Sequence, residues 1–290
     1  MLLATSASAQ TADILGHRPH GLGQTSVQRE KTLGHAMAEI YLSGATRWIG
    51  ERVNEYVNRV GQNLARASDS DYVFTFRVLY SPELNARSFP GGYVLVNTGV
   101  ISVAQSEAEL AVILAHEIAH VNARHWQRFN GRRVIYGLLT FVPMMLGIGP
   151  AAMAMGYGSV EAAPLVEARF SRSFESEADR LALDYLGRAG YDPEAFDELL
   201  EKQQGLEMAL GIEHRGWLAM HPSTVSRRKA VKDVLKHDGV PSTALVTTSE
   251  FEDIQQEIAA YDALHAGVVG GHPPHGKISH PKLKRHPRAP

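Results

Sequence analysis

One segment, AELAVILAHEIAHVNARHW, combines a His-Glu-x-x-His pattern with an apolar helical repeat, and it constrains the chain more than any other feature. The pattern consists of His116, Glu117 and His120. Apolar residues recur beside it at helical spacing: Leu110, Ile113, Leu114, Ile118 and Val121. Because residues four apart lie on one helix face, both imidazoles point in the same direction. Burying two histidines and a carboxylate there is unfavourable unless another group compensates.

The compensating group that this spacing predicts is a metal ion. Two imidazoles that converge from one helix face can bind one Zn²⁺. Glu117 follows His116 directly, where a carboxylate can hold a water and accept its proton. The chain has 14 histidines, so some His-x-x-x-His pairs are expected by chance. The probability that a His-Glu-x-x-His pattern arises by chance in a chain of this length and composition is lower, on the order of a few per cent. We therefore expect one zinc per chain.

The composition excludes several other classes of protein. With 290 residues and 44% hydrophobic content, the chain can form one sizeable core. A formal net charge of −2 gives no indication of a nucleic-acid partner. The sequence has no cysteine, which excludes Cys-zinc sites, disulfides and thiol catalysis. It also lacks a Gly-x-Ser-x-Gly elbow and a Walker A loop.

The beginning of the chain resembles the end of a secretory signal. Ala7-Ser8-Ala9 forms an A-x-A cleavage site before Gln10, although the positive region and most of the apolar region are missing. We interpret residues 1–9 as a signal-peptide remnant, with a flexible small-residue tail as the alternative. Residues 10–29 are polar and Gly-rich, which predicts disorder. This interpretation predicts export to the periplasm, with possible association with the outer membrane.

Periodicity predicts a mainly helical α+β chain. Helices are expected over residues 30–43, 46–67, 170–188, 193–210, 222–236 and 250–264. Strands are expected over residues 72–80 and 93–98, with Pro90-Gly91-Gly92 as a turn before the second. Ser106 and Glu109 form a capping box that begins the His-Glu-x-x-His helix.

Residues 134–160 are almost free of charge and long enough to span a bilayer. Pro143, Gly147, Gly149 and Pro150 interrupt the segment, so we expect two short helices that form an apolar hairpin. The hairpin is either buried in the core or at a subunit contact, or it forms a Met-rich lid or a membrane-contacting surface near the active site. Residues 265–290 are His- and Pro-rich, which predicts a disordered tail whose histidines bind metal only adventitiously.

A catalytic zinc needs three protein ligands, so one more must come from elsewhere. Glu175 and Asp179 in SRSFESEADR stand four apart on one predicted helix face. We predict Glu175 as the third ligand and Asp179 as the carboxylate that accepts the free N–H of a ligating histidine. His125 is the alternative third ligand. An ordinary charged helix face, with Glu177 paired to a nearby arginine, is the alternative for the whole segment.

Several motifs in order resemble the M48 metallopeptidases, gluzincins of the Ste24/HtpX/Oma1 type. The motifs are Asn85-Ala86, Pro90-Gly91-Gly92, His116-Glu117-Ile118-Ala119-His120, Glu175-x-x-x-Asp179 with Ala178, and His221-Pro222. The resemblance implies a zincin-like metallopeptidase core over residues 30–264, with a small sheet beside the His-Glu-x-x-His helix. It also implies zinc ligation by His116, His120 and Glu175.

The same resemblance implies roles for two further residues. Glu117 would be the general base. His221 would approach the metal, where it either stabilises the oxyanion or occupies the fourth position and keeps the enzyme latent. From the residues alone, His221 before Pro222 is a surface turn residue.

Within the family, the chain is most similar to the soluble periplasmic branch, one member of which acts in outer-membrane protein assembly and quality control. That member carries a tetratricopeptide array, for which the residues after 237 are too few. The implied function is a zinc metalloendopeptidase that cleaves unfolded or extended polypeptides, held by strand addition at residues 93–98. The alternatives are a zinc-bound chaperone or assembly factor with a latent protease site, and a nonenzymatic protein that contacts membrane through residues 134–160.

Overall fold

The computed structural model describes residues 24–43, 49–130, 172–210, 221, 225–239 and 241–265. Within these residues the helices are α1 (Gln24–Ser43), α2 (Glu51–Ala67), α3 (Thr98–Val103), α4 (Glu107–Asn122), α5 (125–130), α6 (172–189), α7 (Glu194–Leu210), α8 (Val225–Asp238) and α9 (Ser249–His265). The strands are β1 (Thr75–Leu79), β2 (Ala86–Phe89) and β3 (Tyr93–Asn97). The predicted signal remnant and apolar hairpin, and the tail after His265, lie outside the described residues. None of the helices in the described ranges is long and apolar enough to cross a membrane.

The three strands form one sheet with the order β1-β3-β2. β1 runs parallel to β3, and β2 runs antiparallel to β3 with Ser88 opposite Val94. The turn between β2 and β3 is made by Gly91 and Gly92, whose φ angles of 77° and 97° favour glycine. The expected α+β, mainly helical class is confirmed. β2 was not predicted, because its four residues include two polar side chains and show no apolar alternation.

Helices cover both faces of this sheet. The main core lies between the sheet and helices α2 and α4, where Phe76, Val78, Val94 and Val96 are buried. A smaller apolar cluster lies between the other face and α1, and consists of Ala38, Leu79, Phe89 and Leu95. Each such large aliphatic or aromatic side chain contributes about 1.5–3 kcal/mol when it is fully buried. The sheet therefore fixes β2 firmly next to α4, which carries the His-Glu-x-x-His pattern.

Helix α1 begins at Gln24, so the expectation of disorder up to residue 29 is wrong for residues 24–29. Val27 packs against the main core, which supplies the apolar burial that the polar composition did not reveal. Glu30 is buried and accepts hydrogen bonds from the Tyr72 hydroxyl at 2.5 Å and the Gln127 amide at 2.6 Å. It also forms an ion pair with Arg124. These contacts tie α1 to the start of α5.

Helix α2 begins at Glu51, later than the predicted start at residue 46. At the ends that the structure describes, the other predicted helices differ from the observed ones by one or two residues.

A glycine-to-alanine change tests how closely α1 approaches the β2–β3 turn. A Cβ at Gly34 would lie 1.7 Å from the Pro90 carbonyl oxygen, so the helix must shift away from the turn. We expect Gly34→Ala to lower the free energy of unfolding by about 1–3 kcal/mol, as overpacking does. Gly205→Ala is the matched control in α7, where a Cβ meets no atom within 4 Å. In the control, the free energy of unfolding should rise by about 0.5–1 kcal/mol. Urea denaturation measures both, and equal stability of the two variants would contradict the packing of α1.

Candidate metal centre

The sequence around α4 builds a helix that is buried on every side. The Ser106 side chain accepts a hydrogen bond from the Glu109 N–H at 3.2 Å, as the predicted cap requires. The Glu109 carboxylate in turn accepts from the Gln105 N–H at 2.8 Å. Every residue of α4 except His120 is buried. A helix that is buried on every side lies at the centre of a core, so its polar side chains must find partners inside the protein.

Four side chains from three separate parts of the chain meet at the carboxyl-terminal half of α4. His116 and His120 come from α4, Glu175 from α6, and His221 from the segment before α8. One donor atom from each lies within 4.8 Å of the other three. His116 is completely buried and His221 is 8% exposed. The structure thus brings together the three predicted ligands and the predicted fourth group.

The distances between these atoms fit a bound metal ion. His116 Nε2 lies 3.0 Å from His120 Nε2 and 3.3 Å from Glu175 Oε2. His120 Nε2 lies 3.5 Å from Glu175 Oε1. Ligands at zinc–nitrogen distances define a tetrahedron with edges of about 3.3 Å. Lone pairs that face one another at this spacing repel unless a proton or a metal cation lies between them. The donor set of imidazoles and one carboxylate therefore suits a divalent metal.

His221 lies among the donors, not in a surface turn, so the interpretation from its neighbouring residues alone was wrong. Its Nδ1 lies 2.9 Å from Glu175 Oε2 and 3.2 Å from His116 Nε2. Its Nε2 lies 3.4 Å from Glu117 Oε1. The main-chain carbonyl of His221 accepts hydrogen bonds from Gln203 at 2.7 Å and from Arg227, so the backbone is fixed while the ring faces the donors.

Asp179 lies behind His116, on the side away from the other donors. Its Oδ1 is 3.2 Å from His116 Nδ1, so we expect the imidazole proton on Nδ1, which would leave the Nε2 lone pair for a metal. The guanidinium of Arg227 binds Asp179 through two hydrogen bonds, of 2.6 and 2.7 Å. Burial raises the pKa of Asp179, but the hydrogen bonds from Arg227 and His116 outweigh this effect and lower it.

Arg227 is a site residue that sequence reasoning missed. It stands in the charged stretch SRRKA, which is typical of a solvated helix face, yet it is only 3% exposed. Its Nη1 lies 3.3 Å from Glu175 Oε2, so one cation contacts both Glu175 and Asp179 of α6. Burial raises the pKa of Glu175, but electrostatic interactions with the His221 and His120 side chains outweigh burial and lower it well below its usual range. Glu175 is therefore ionised, as a metal ligand must be.

The side chain of Glu117 lies between His221 and a cleft that both residues line. Ser88 on β2 donates a hydrogen bond to Glu117 Oε2 at 2.7 Å. The cleft has a volume of about 310 Å³. Its lining includes Met37, Arg87, Phe89, His120, Trp126 and Phe174. Glu117, Glu175 and His221 also line it, so the cleft gives access to Glu117 and to the metal donors together.

β2, not β3, forms the edge of the sheet beside the cleft. The prediction that residues 93–98 provide the edge was wrong, because β3 is paired on both sides. The Asn97 N–H donates to the Asn85 carbonyl at 2.9 Å, so alternate residues of the antiparallel pair turn towards β3. By this alternation the main-chain groups of Ala86 and Ser88 point to the edge of β2 that no strand among the described residues pairs with.

His125 and Glu177 lie next to the donor group without joining it. His125, the alternative third ligand, places its Nδ1 3.0 Å from His120 Nδ1, behind the ring. Glu177 lies 2.8 Å from Arg128 Nη1 and 3.2 Å from His125 Nε2. Burial raises the pKa of Glu177, but the hydrogen bonds from His125 and Arg128 lower it to about 2.

Comparison with known proteins agrees with this arrangement. The sequence profile of peptidase family M48 matches residues 51–235. The beta-barrel assembly-enhancing protease of Escherichia coli is 30% identical over 205 residues, which are 68% of this chain and 42% of that protein. The protein of the same name from Yersinia pestis is 30% identical over 184 residues, or 61% of this chain and 38% of that protein. Mitochondrial metalloendopeptidase OMA1 of Schizosaccharomyces pombe is 29% identical over 184 residues, or 62% and 52%.

The chain thus spans about half or less of the length of these relatives. The matched region contains His116, Glu117, His120, Glu175 and His221. It is also the region in which the four possible metal donors converge. The profile match covers more than half of the chain, and the chain belongs to peptidase family M48.

Proposed function

We propose that this protein is a zinc-dependent metalloendopeptidase. The observation that carries the proposal is the buried convergence of His116, His120, Glu175 and His221 beside Glu117 in a chain of family M48. In the proposed site His116, His120 and Glu175 hold one zinc ion. Asp179 and Arg227 fix the orientation of His116. Two neutral imidazoles and a carboxylate are a common ligand set for catalytic zinc.

Glu117 is the proposed general base. When bound, zinc supplies a Lewis acid that polarises a peptide carbonyl and acidifies water. Glu117 accepts a proton from the attacking water and passes it to the leaving amine. Ser88 donates to Oε2 of Glu117, which fixes the carboxylate and leaves Oε1 facing His221. A carboxylate that is held in one orientation transfers its proton over a fixed distance.

His221 closes the resting site in this proposal. A catalytic zinc keeps one position open, whereas four protein ligands are typical of closed sites. With Nδ1 of His221 at 2.9 Å from Glu175, its ring occupies the place that a substrate oxygen needs. Its carbonyl is held by Gln203 and Arg227, so rotation of the side chain alone opens the position. In the open state the same ring can stabilise the oxyanion.

We propose unfolded or extended polypeptides as substrates. The open edge of β2 offers main-chain groups of Ala86 and Ser88, to which an extended segment can add as a further strand. Recognition through main-chain hydrogen bonds requires little of the substrate's side chains, so specificity is broad. Relatives are named for beta-barrel assembly, and the signal-like residues 1–9 favour export. We therefore propose outer-membrane proteins in the periplasm as substrates or partners, in protein quality control.

A chaperone or assembly factor with a latent protease site is the second candidate function. The position of His221 among the donors favours it, because a permanently closed zinc site binds metal without turnover. Such a protein would still hold unfolded chains at the β2 edge.

Cleavage of an unfolded polypeptide by wild type and by His221→Ala tests both candidates. We expect the variant to cleave at least about tenfold faster, which corresponds to about 1.4 kcal/mol of preference for the closed form. A chelator should stop both, and zinc should restore both. His237→Ala is the control, because His237 is exposed on α8. Zinc-loaded protein that binds the polypeptide but cleaves it in neither form would support the chaperone and exclude the protease.

A further inference from the structure

The second ring nitrogen of His120 has a partner that the proposed mechanism does not use. His120 turns Nε2 towards His116 and Glu175, and its Nδ1 lies 3.0 Å from His125 Nδ1. On its other side His125 places Nε2 3.2 Å from Glu177 Oε2. Arg128 Nη1 lies 2.8 Å from the same carboxylate oxygen. A continuous row of groups thus runs from Arg128 to the metal donors.

The protons in this row can be placed from the acceptors at its ends. An ionised carboxylate can only accept hydrogen bonds, so the Nε2–H group of His125 donates one to Glu177. A neutral imidazole with its proton on Nε2 presents a lone pair on Nδ1. That lone pair accepts the Nδ1 proton of His120. His120 is then left with a lone pair on Nε2, the atom that faces the donor group.

The backbone bends sharply to bring His125 to this place. On an uninterrupted helix, His125 would lie about 140° round from His120 and face away from it. Instead α4 ends at Asn122, and Arg124 adopts a φ of +53°, which is uncommon for a residue other than glycine. The ion pair between Arg124 and Glu30 holds this conformation. Strained backbone of this kind often accompanies a functional constraint.

Packing fixes the imidazole of His125 in one orientation. The ring stacks on Phe174, with centroids 4.5 Å apart and planes inclined by 18°. The guanidinium of Arg128 lies 4.7 Å from the centre of the same phenyl ring. His125 is 4% exposed, so water does not compete for its nitrogens.

We propose that His125 and Glu177 are positioning residues that set the tautomer and the orientation of His120 towards the metal. We call the row from Glu177 through His125 to His120 the relay. It acts on His120 as the carboxylate of Asp179 acts on His116. The proposal rests on the metal site described under the proposed function. Partners behind metal ligands commonly change metal affinity by 10- to 100-fold.

Three substitutions of His125 separate the relay from simple packing. His125→Asn places an amide oxygen near the position of Nδ1 and can still accept from His120. His125→Gln places its amide near the position of Nε2, so it reaches Glu177 but not His120. His125→Phe keeps the stacking on Phe174 and removes both hydrogen bonds. Zinc affinity is measured by competition with a chromophoric chelator, and thermal unfolding of the metal-free proteins reports packing.

The relay predicts that His125→Asn binds zinc within about threefold of wild type, whereas His125→Gln and His125→Phe bind 10- to 100-fold more weakly. The absorption spectrum of the cobalt-substituted protein should differ little from wild type in His125→Asn and clearly in His125→Gln and His125→Phe. A packing role predicts instead that His125→Phe binds best, and that result overturns the relay, as does equal affinity of the Asn and Gln variants. Glu177→Ala, expected to bind about tenfold more weakly, decides the question if the His125 variants do not fold. Absence of zinc from wild type would contradict the proposed function itself.

Discussion

Glu117→Gln is expected to keep its zinc and to lower kcat/KM for an unfolded polypeptide by about 10²–10⁴-fold. Glutamine retains the shape of the side chain and can still accept a hydrogen bond from Ser88, whose hydroxyl lies 2.7 Å from Glu117 Oε2. It has no basic oxygen to accept the proton of the attacking water. The metal donors keep their own partners, so zinc content should equal that of wild type.

This substitution is best measured in two backgrounds, wild type and His221→Ala. A closed resting site lowers the activity of the wild-type background, so a further loss is easier to measure in His221→Ala. Glu201→Gln, on α7 and partly exposed, is the matched control for loss of a carboxylate. Full activity of Glu117→Gln in the His221→Ala background would contradict the assignment of the base. Loss of zinc from the variant would instead show that Glu117 is needed to build the metal site.

The second large effect is expected for Glu175→Ala. It should lower zinc affinity by more than the 10- to 100-fold that is typical when a residue hydrogen-bonded to a metal ligand is replaced. The change removes a proposed ligand and the only carboxylate among the four donors. It also removes one of the carboxylates that contact the buried guanidinium of Arg227, so some loss of stability should accompany it.

Asp184→Asn is the matched control on the same helix, because Asp184 is exposed and pairs only weakly with Arg188 at 3.4 Å. Equilibrium dialysis with metal analysis gives affinity and stoichiometry for both variants. If Glu175→Ala binds one zinc as tightly as the control does, the third ligand lies elsewhere in the chain.

The helix that carries the site was predictable because its signals are local. Apolar spacing, the Ser106 cap and the four-residue interval between His116 and His120 all act within one or two turns. The interval between Glu175 and Asp179 carries the same kind of information, so two separate helix faces could be proposed from spacing alone.

The remaining features depend on contacts between distant parts of the chain. His221 meets His116 across 105 residues, and nothing in the local sequence distinguishes it from a turn residue before proline. Arg227 is buried only because Asp179 and Glu175 come to it from another helix. β2 exists because β3 pairs with it, since its own residues carry little strand preference. Tertiary packing therefore decides these features, and propensity does not.

Zinc K-edge anomalous diffraction from crystals of the purified protein tests the central claim most directly, since it locates the metal independently of any assay. We predict one peak for each chain, at about 2.0–2.2 Å from Nε2 of His116, Nε2 of His120 and a carboxylate oxygen of Glu175. In the resting state Nδ1 of His221 should complete the set. A peak elsewhere, for instance among the histidines after residue 265, or no peak within reach of His116 and His120, would contradict the account.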